Sequence, residues 1–274
     1  MWRFLHIVTT GTSLVRNTAF LCKFLPGLSE YCLLVDSWSK ASPDSSEDLE
    51  AARNAIPSSR VFKALLEAVS SDPRRLSAEL NAFLSYLDKL GEGIYKHRVI
   101  LFSTDTGVGW LCTRILEEFF KTISEIPSVY VTSGKHYIEH VESNRVEMLG
   151  RDFSKGSLNL LVRVKSIVKK HRDQVDEVVF NLTGGFKPET GFLILIAGLI
   201  GANRVYYIHE TMREVVEIPI LPLTITEPVK SVFERAKRNI LTDLDYNILR
   251  EYRVLRPGEK EQEWIKRLAE ILLD

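Results

Sequence analysis

Thr9-Thr-Gly-Thr-Ser-Leu-Val-Arg-Asn17 follows directly on an apolar β-branched run, and Asn181-Leu-Thr-Gly-Gly-Phe-Lys-Pro-Glu189 repeats that arrangement far downstream. In an open parallel α/β sheet, ligands bind outside the carboxyl ends of the strands, so two small-residue loops at such ends can meet over one pocket. Together they offer backbone N–H groups, hydroxyls, Arg16 and Lys187. That set suits a phosphate-bearing ligand.

The rest of the chain alternates around these loops. Phe4 to Thr9 reads as the first strand, with a short helix expected over Asn17 to Pro26 and an unplaced apolar run at Tyr31 to Val35. A polar stretch beginning at Ser37 leads into helical patterns over Glu47 to Asn54, Ser58 to Ser70 and Pro73 to Leu90. They form a helical insertion at about 37–91. Asp72-Pro73 supplies a cap and a first-turn proline, and Leu76, Leu80, Phe83, Leu84 and Leu87 mark one apolar face. His97 to Phe102 is a buried strand ending in Ser103-Thr-Asp-Thr106, with a helix from about Gly109 to Lys121. Val129 to Thr132 reads as the next strand, and the alternation from His136 to Leu149 around Ser143-Asn144 as a β-hairpin. A helix over Lys155 to Lys170, a strand over Glu177 to Phe180, an apolar helix through Ile200 and strands near Arg204 to Ile208 and Val215 to Ile220 follow, the last two around the turn Glu210-Thr-Met-Arg213. The expected fold is α/β, a Rossmann-like, mostly parallel sheet with helices on both faces. Composition shifts after Pro222, so residues 1–222 are expected to form the main domain and 223–274 a small helical appendage, broken at Arg256-Pro-Gly.

A chain of 274 residues, 45% hydrophobic, can bury a full core. Lys plus Arg and Asp plus Glu number 36 each, so the total carries no basic footprint for a long nucleic-acid duplex. Cys22, Cys32 and Cys112 lie in apolar contexts without a C-x-x-C pair and read as buried free thiols in reducing cytoplasm. No run reaches membrane-spanning length, and Met1 to His6 leads straight into a strand rather than a leader. Glutamine is confined to Gln174 and Gln262, a composition found in heat-adapted proteins.

The first loop resembles the opening of the CRISPR-associated Rossmann fold (CARF) family. The second resembles that family's Asn-x-Thr-Gly-Gly-aromatic-Lys signature, with Asn181, Thr183, Gly184, Gly185, Phe186 and Lys187 in place. Ser103, Thr104, Asp105 and Thr106 resemble its Ser/Asp/Thr-rich second strand end. Within the family the likeness is to stand-alone ring nucleases, which bind and cut cyclic oligoadenylate second messengers. The resemblance implies a homodimer holding a ring, cyclic tetra-adenylate above all, across its two-fold axis. It also implies metal-independent attack of a ribose 2′-hydroxyl on its neighbouring phosphate, with no cofactor, to give 2′,3′-cyclic phosphate ends. Ser13 and Lys187 take the catalytic places. Thr10, Gly11, Thr12, Arg16, Asn17, the four residues Ser103 to Thr106, and Asn181, Thr183, Gly184, Gly185 and Phe186 take ligand-binding ones. The runner-up is a non-catalytic sensor or ligand-controlled transcriptional regulator, with DNA met through Lys230, Arg235, Lys237 and Arg238.

Lys135, His136 and Tyr137 are expected near the ligand, because strand ends converge on one crevice. Their alternative is a solvent-exposed entry to the hairpin. Gly107-x-Gly109-x-x-Cys112 lacks the third glycine of a dinucleotide fingerprint. His136-x-x-Glu139-His140 spells an inverted zinc-peptidase motif, yet on a strand its histidines stand about 13 Å apart, so no metal is assigned. Arg204 and His209 fit the spacing of HEPN ribonucleases, but on a sheet strand instead of in a helical domain.

Overall fold

The computed structural model describes residues 1–185, 187–208, 214–255 and 261–273. The turn at Glu210 to Arg213 and the break at Arg256-Pro-Gly lie outside them.

Strand β1 (Trp2–Thr10) opens the chain, and helix α1 (Ser13–Leu21) starts at once, leaving Gly11 and Thr12 as the whole connecting loop. The helix begins four residues before the expected one because Leu14, Val15 and Thr18 already face the core. Helices α2 (Cys32–Ser39), α3 (Ser46–Arg53), α4 (Arg60–Ser71), α5 (Pro73–Leu76) and α6 (Ala78–Lys89) build the insertion. Tyr31 to Val35 is thus largely helical, and the expected helix over Pro73 to Leu90 is two. The break is Ser77, extended at φ −128° and ψ 123°, whose hydroxyl accepts from Leu80 N. A serine in that conformation caps a new helix better than it continues an old one.

The sheet resumes with β2 (Ile94–Ser103), followed by α7 (Gly107–Thr122), β3 (Lys135–Arg145), α8 (Phe153–His171), β4 (Glu177–Asn181), α9 (Lys187–Ile196), β5 (Arg204–Ile208) and β6 (Val215–Ile218). Strand order is β3-β2-β1-β4-β5-β6, parallel except for β6 at one edge. This is the Rossmann-like sheet expected from the alternation. Period-two patterning divides the core. Phe4, Val8, Val99 and Leu101 join the insertion, α1 and α7 on one face, while Leu5, Ile7, Ile100 and Phe102 join α8 on the other. That second cluster also takes in Val232 and Phe233 of α10 (Glu227–Lys237), Leu249 of α11 (Asp243–Glu251) and Ile265 of α12 (Gln262–Leu273). The C-terminal helices are therefore continuous with the sheet's core.

Three expectations need correction. Val129 to Thr132 forms no strand; Thr132 N and Oγ1 donate to Asp88 of α6, and Tyr130 Oη donates to Ser70 O. Instead of a hairpin, β3 is a single strand beside β2, with one register shift between His97 and Arg98 and with Ser143 opposite Leu101 and Asn144 opposite Phe102. Alternation reads alike in a hairpin arm and a long edge strand, and the ten residues of β2 decide for the strand. Finally, Cys22 and Cys32 form a disulfide, while Cys112 alone is free and buried. Intracellular proteins of hyperthermophiles retain such bonds, so a disulfide fixes no compartment. Among the described residues no helix is long and apolar enough to cross a membrane.

His6, His97 and His136 lie fully buried on adjacent strands and join in a chain. His6 Nε2 meets His97 Nδ1 at 2.9 Å, His97 Nε2 meets His136 Nδ1 at 3.0 Å, and His136 Nε2 meets Ser133 O at 3.1 Å. A carbonyl only accepts, so His136 donates to it and each preceding Nε2 donates in turn. His6 Nδ1 remains as a buried acceptor without a partner. Burial lowers all three pKa values, that of His6 to about 3; neighbouring histidines add to it at His6 and His97, while the Ser133 carbonyl and Asp88 oppose it at His136.

Candidate functional site

The loops after β1 and β4 abut, because β1 and β4 are adjacent parallel strands. Thr9 Oγ1 donates to Gly184 O at 2.6 Å. A Cβ on Gly11 would stand 3.0 Å from Gly185 N, and one on Gly184 would stand 2.7 Å from Thr9 O and 2.2 Å from Glu79 Oε1. Both glycines are there for close approach. Gly185 has φ +94°, the left-handed region that a side chain disfavours.

The residue joining the two loops is Glu79, which sequence reading passed over. Its Oε1 accepts from Gly11 N at 2.8 Å, and its Oε2 from Ser13 Oγ at 2.7 Å and Ser77 Oγ at 2.8 Å. Its own backbone carbonyl accepts from Asn181 Nδ2 at 3.0 Å. At 2% exposure the carboxylate is satisfied by hydrogen bonds rather than by a cation. It holds the Gly11 N–H that sequence reading gave to a phosphate. The split at Ser77 is what aims it, since Glu79 sits in the first turn of the new helix α6.

The second loop keeps more open chemistry. Asn181 is buried scaffold, its Oδ1 accepting from Thr183 N, and Thr183 Oγ1 accepts from Ile208 N. Gly185 and Lys187 are exposed, the lysine opening helix α9. Beside them lies a cavity of about 500 Å³ lined by Thr183, Gly185, Lys187, Thr190, Tyr207 and apolar neighbours from α9, β5 and β6. A lysine in a first helical turn opposes the helix dipole, and an anion bound there removes the conflict. Phe186 lies outside the described residues.

Of the remaining first-loop residues, Thr10 is buried and donates to Phe102 O, and Asn17 Nδ2 donates to the carbonyls of Arg75 and Leu76. Thr12 and Ser13 are half-buried, and Arg16 is exposed.

The third loop is closed. Ser103 pairs with Thr10 in register, which places the loop at the same sheet end. Ser103 Oγ donates to Thr104 O, the hydroxyls of Thr104 and Thr106 bond to each other, and Thr106 accepts from Gly109 N. Asp105 is held by Arg145 Nε at 3.0 Å and Met148 N at 3.1 Å. The start of α7 is occupied by Asp48 from the insertion, 2% exposed, which accepts from Gly107 N and Val108 N, both at 2.9 Å. Gly107 permits this approach, for a Cβ there would fall 1.8 Å from Asp48 O. The dinucleotide-like glycines are thus packing glycines.

Lys135, His136 and Tyr137 begin β3 and pair with Ile94, Tyr95 and Lys96 at the start of β2. They stand at the amino end of the sheet, opposite the three loops. They do not join the site, because the strand they were expected to follow is a loop. His136 and His140 lie on this strand, not on a helix. Arg204 sits on β5 and pairs with Glu177 at 2.7 Å; His209 lies outside the described residues. In the C-terminal helices Arg235 is paired with Asp245, and Lys230 lies 3.6 Å from Glu227.

Residues 74–221 match the family model described as CRISPR-associated protein (Cas_APE2256). The chain belongs to that family. The match begins within α5 and takes in α6 with Glu79, the loop after β2 and the whole Asn181 to Lys187 signature.

Proposed function

We propose that the protein binds a cyclic oligoadenylate, cyclic tetra-adenylate first among ring sizes, and cleaves it without a metal, ending a type III CRISPR signal. The observation that carries this reading is the abutment of the first and second loops at adjacent strand ends, with half-buried Ser13 on one and exposed Lys187 on the other. Membership of a CRISPR-associated family supports the setting.

In this mechanism Ser13 contacts the ribose whose 2′-hydroxyl attacks the adjacent phosphorus. The 2′-oxygen bonds to phosphorus and gives up its proton to solvent as the bond to the 5′-oxygen breaks, and the leaving 5′-oxygen takes a proton up from solvent, leaving a 2′,3′-cyclic phosphate and a 5′-hydroxyl. Lys187 stabilises the charge that grows on the phosphoryl oxygens. Thr12, Arg16, Gly185 and the cavity beside Lys187 contact the rest of the nucleotide; Thr10, Gly11, Asn17, Asn181, Thr183 and Gly184 hold these groups in place. Ser103 to Thr106 belong to the scaffold of the same crevice. A homodimer supplies two such half-sites to a two-fold ring. The division into a ligand-binding unit, 1–222, and a helical appendage, 223–274, is part of this proposal.

The test is incubation of purified protein with radiolabelled cyclic tetra-adenylate in EDTA. Linear products with cyclic phosphate ends support the enzyme. Tight binding without product supports a sensor, and no binding removes both readings.

A further inference from the structure

We infer that Glu79 is a positioning residue that makes the Ser13 hydroxyl a hydrogen-bond acceptor towards the ligand, so that Ser13 receives the ribose 2′-hydroxyl instead of donating to a phosphate. The inference rests on the ring-binding reading above.

A serine hydroxyl has one proton and two lone pairs. The proton of Ser13 is committed to Glu79 Oε2 at 2.7 Å, and one lone pair accepts from Ala78 N at 3.2 Å. One lone pair is left. The other groups about the carboxylate fix this polarity. Ser77 Oγ also donates to Oε2, and Gly11 N donates to Oε1, so neither oxygen is available as a donor to Ser13. An acceptor at Ser13 suits a 2′-hydroxyl, which has a proton to give, and opposes a phosphate oxygen, which has none. By accepting from the 2′-hydroxyl, Ser13 leaves that oxygen's lone pairs free for attack on phosphorus.

Replacing Glu79 by glutamine inverts the arrangement. Gly11 N–H requires the amide oxygen at the Oε1 place, which puts the NH₂ group against Ser13 and turns the serine proton towards the ligand. The probe is cyclic tetra-adenylate beside its 2′-fluoro analogue, whose fluorine donates nothing. Binding is measured by stopped flow before turnover. The wild type is expected to prefer the natural ring about fivefold to tenfold, the worth of one neutral hydrogen bond. Glu79→Gln brings the ratio near one, Ser13→Ala does the same, and the double variant adds nothing further. Glu79→Asp, whose shorter side chain cannot span Gly11 and Ser13, lowers the ratio partway and serves where the glutamine variant does not fold. A wild-type ratio near one overturns the acceptor role of Ser13 while leaving ring binding intact. A ratio unchanged in both Glu79 variants but lost in Ser13→Ala overturns the role of Glu79. If the wild type binds neither ring, the ring-binding reading falls and this inference with it.

Discussion

The loops after β2 and β4 are built from the same kinds of residue, small and hydroxylated, at the same end of one sheet, and they end in opposite states. Ser103 to Thr106 is closed by its own hydroxyls and by Asp48, which takes the first amides of α7. Gly185 and Lys187 remain exposed at the start of α9 beside a cavity. What separates them is the insertion. Its α3 brings a carboxylate to one helix start, and its α6 brings another only as far as Gly11 and Ser13. A strand-end loop is therefore a ligand site only where no side chain of the protein has already taken the ligand's place.

The largest expected effect tests the scaffold common to both loops. His6, His97 and His136 are neutral in the fold, with pKa values below the ordinary 6.5 of a solvated imidazole. The unfolded chain binds more protons than the folded one between about pH 6.5 and 3, so stability is full above 6.5 and falls as pH drops through that window. With His6 moved to about 3, its share alone is roughly 4 to 5 kcal/mol. Denaturant midpoints across that pH range check this, and His6→Phe should flatten the slope. An unchanged slope would remove the histidine chain as its cause.

Next in size is Lys187→Ala, expected to slow single-turnover cleavage about a hundredfold or more with a much smaller loss of affinity, because its charge meets charge that develops in the transition state. Equal losses in rate and affinity would make the lysine a ground-state anchor. The closed loop should give the reverse pattern. Asp48→Ala leaves two helix-end amides without their acceptor and is expected to lower stability by about 2 kcal/mol while cleavage persists. A folded Asp48→Ala protein that has lost cleavage would erase the distinction between the loops.

This contrast sets what was legible in the sequence. The sheet was legible because a β-branched run followed by small residues reports a buried strand and its end together, and both signature loops were found that way. The insertion's helices were visible from their apolar faces. Glu79 and Asp48 were not, since an acid in a first helical turn reads as a dipole contact on the surface. Ser77 followed by Ala-Glu was the available sign of a second helix start. The disulfide had none, as Cys22 and Cys32 are ten residues apart without a motif.

The smallest expected effect concerns the ends of the strands. Tyr137 pairs with Lys96 near the start of β2, whereas Arg145, eight residues on, pairs with Ser103 at the loop end. At about 3.3 Å per residue the two ends are roughly 26 Å apart. The half of a tetra-adenylate ring, two nucleotides, that one protomer meets at the first and second loops does not reach that far along the sheet. Tyr137→Ala is therefore expected to leave affinity and cleavage within about twofold, the scatter of surface substitutions. The side chain is half-buried, so trimming it is expected to cost a modest amount of thermal stability without reaching the site, while the backbone bridge to Glu125 is kept. Isothermal titration and single-turnover cleavage of the variant check this. A tenfold loss of affinity with an unaltered melting temperature would place ligand at the amino end of the sheet, and the distinction between an open and a closed strand-end loop would no longer locate the site.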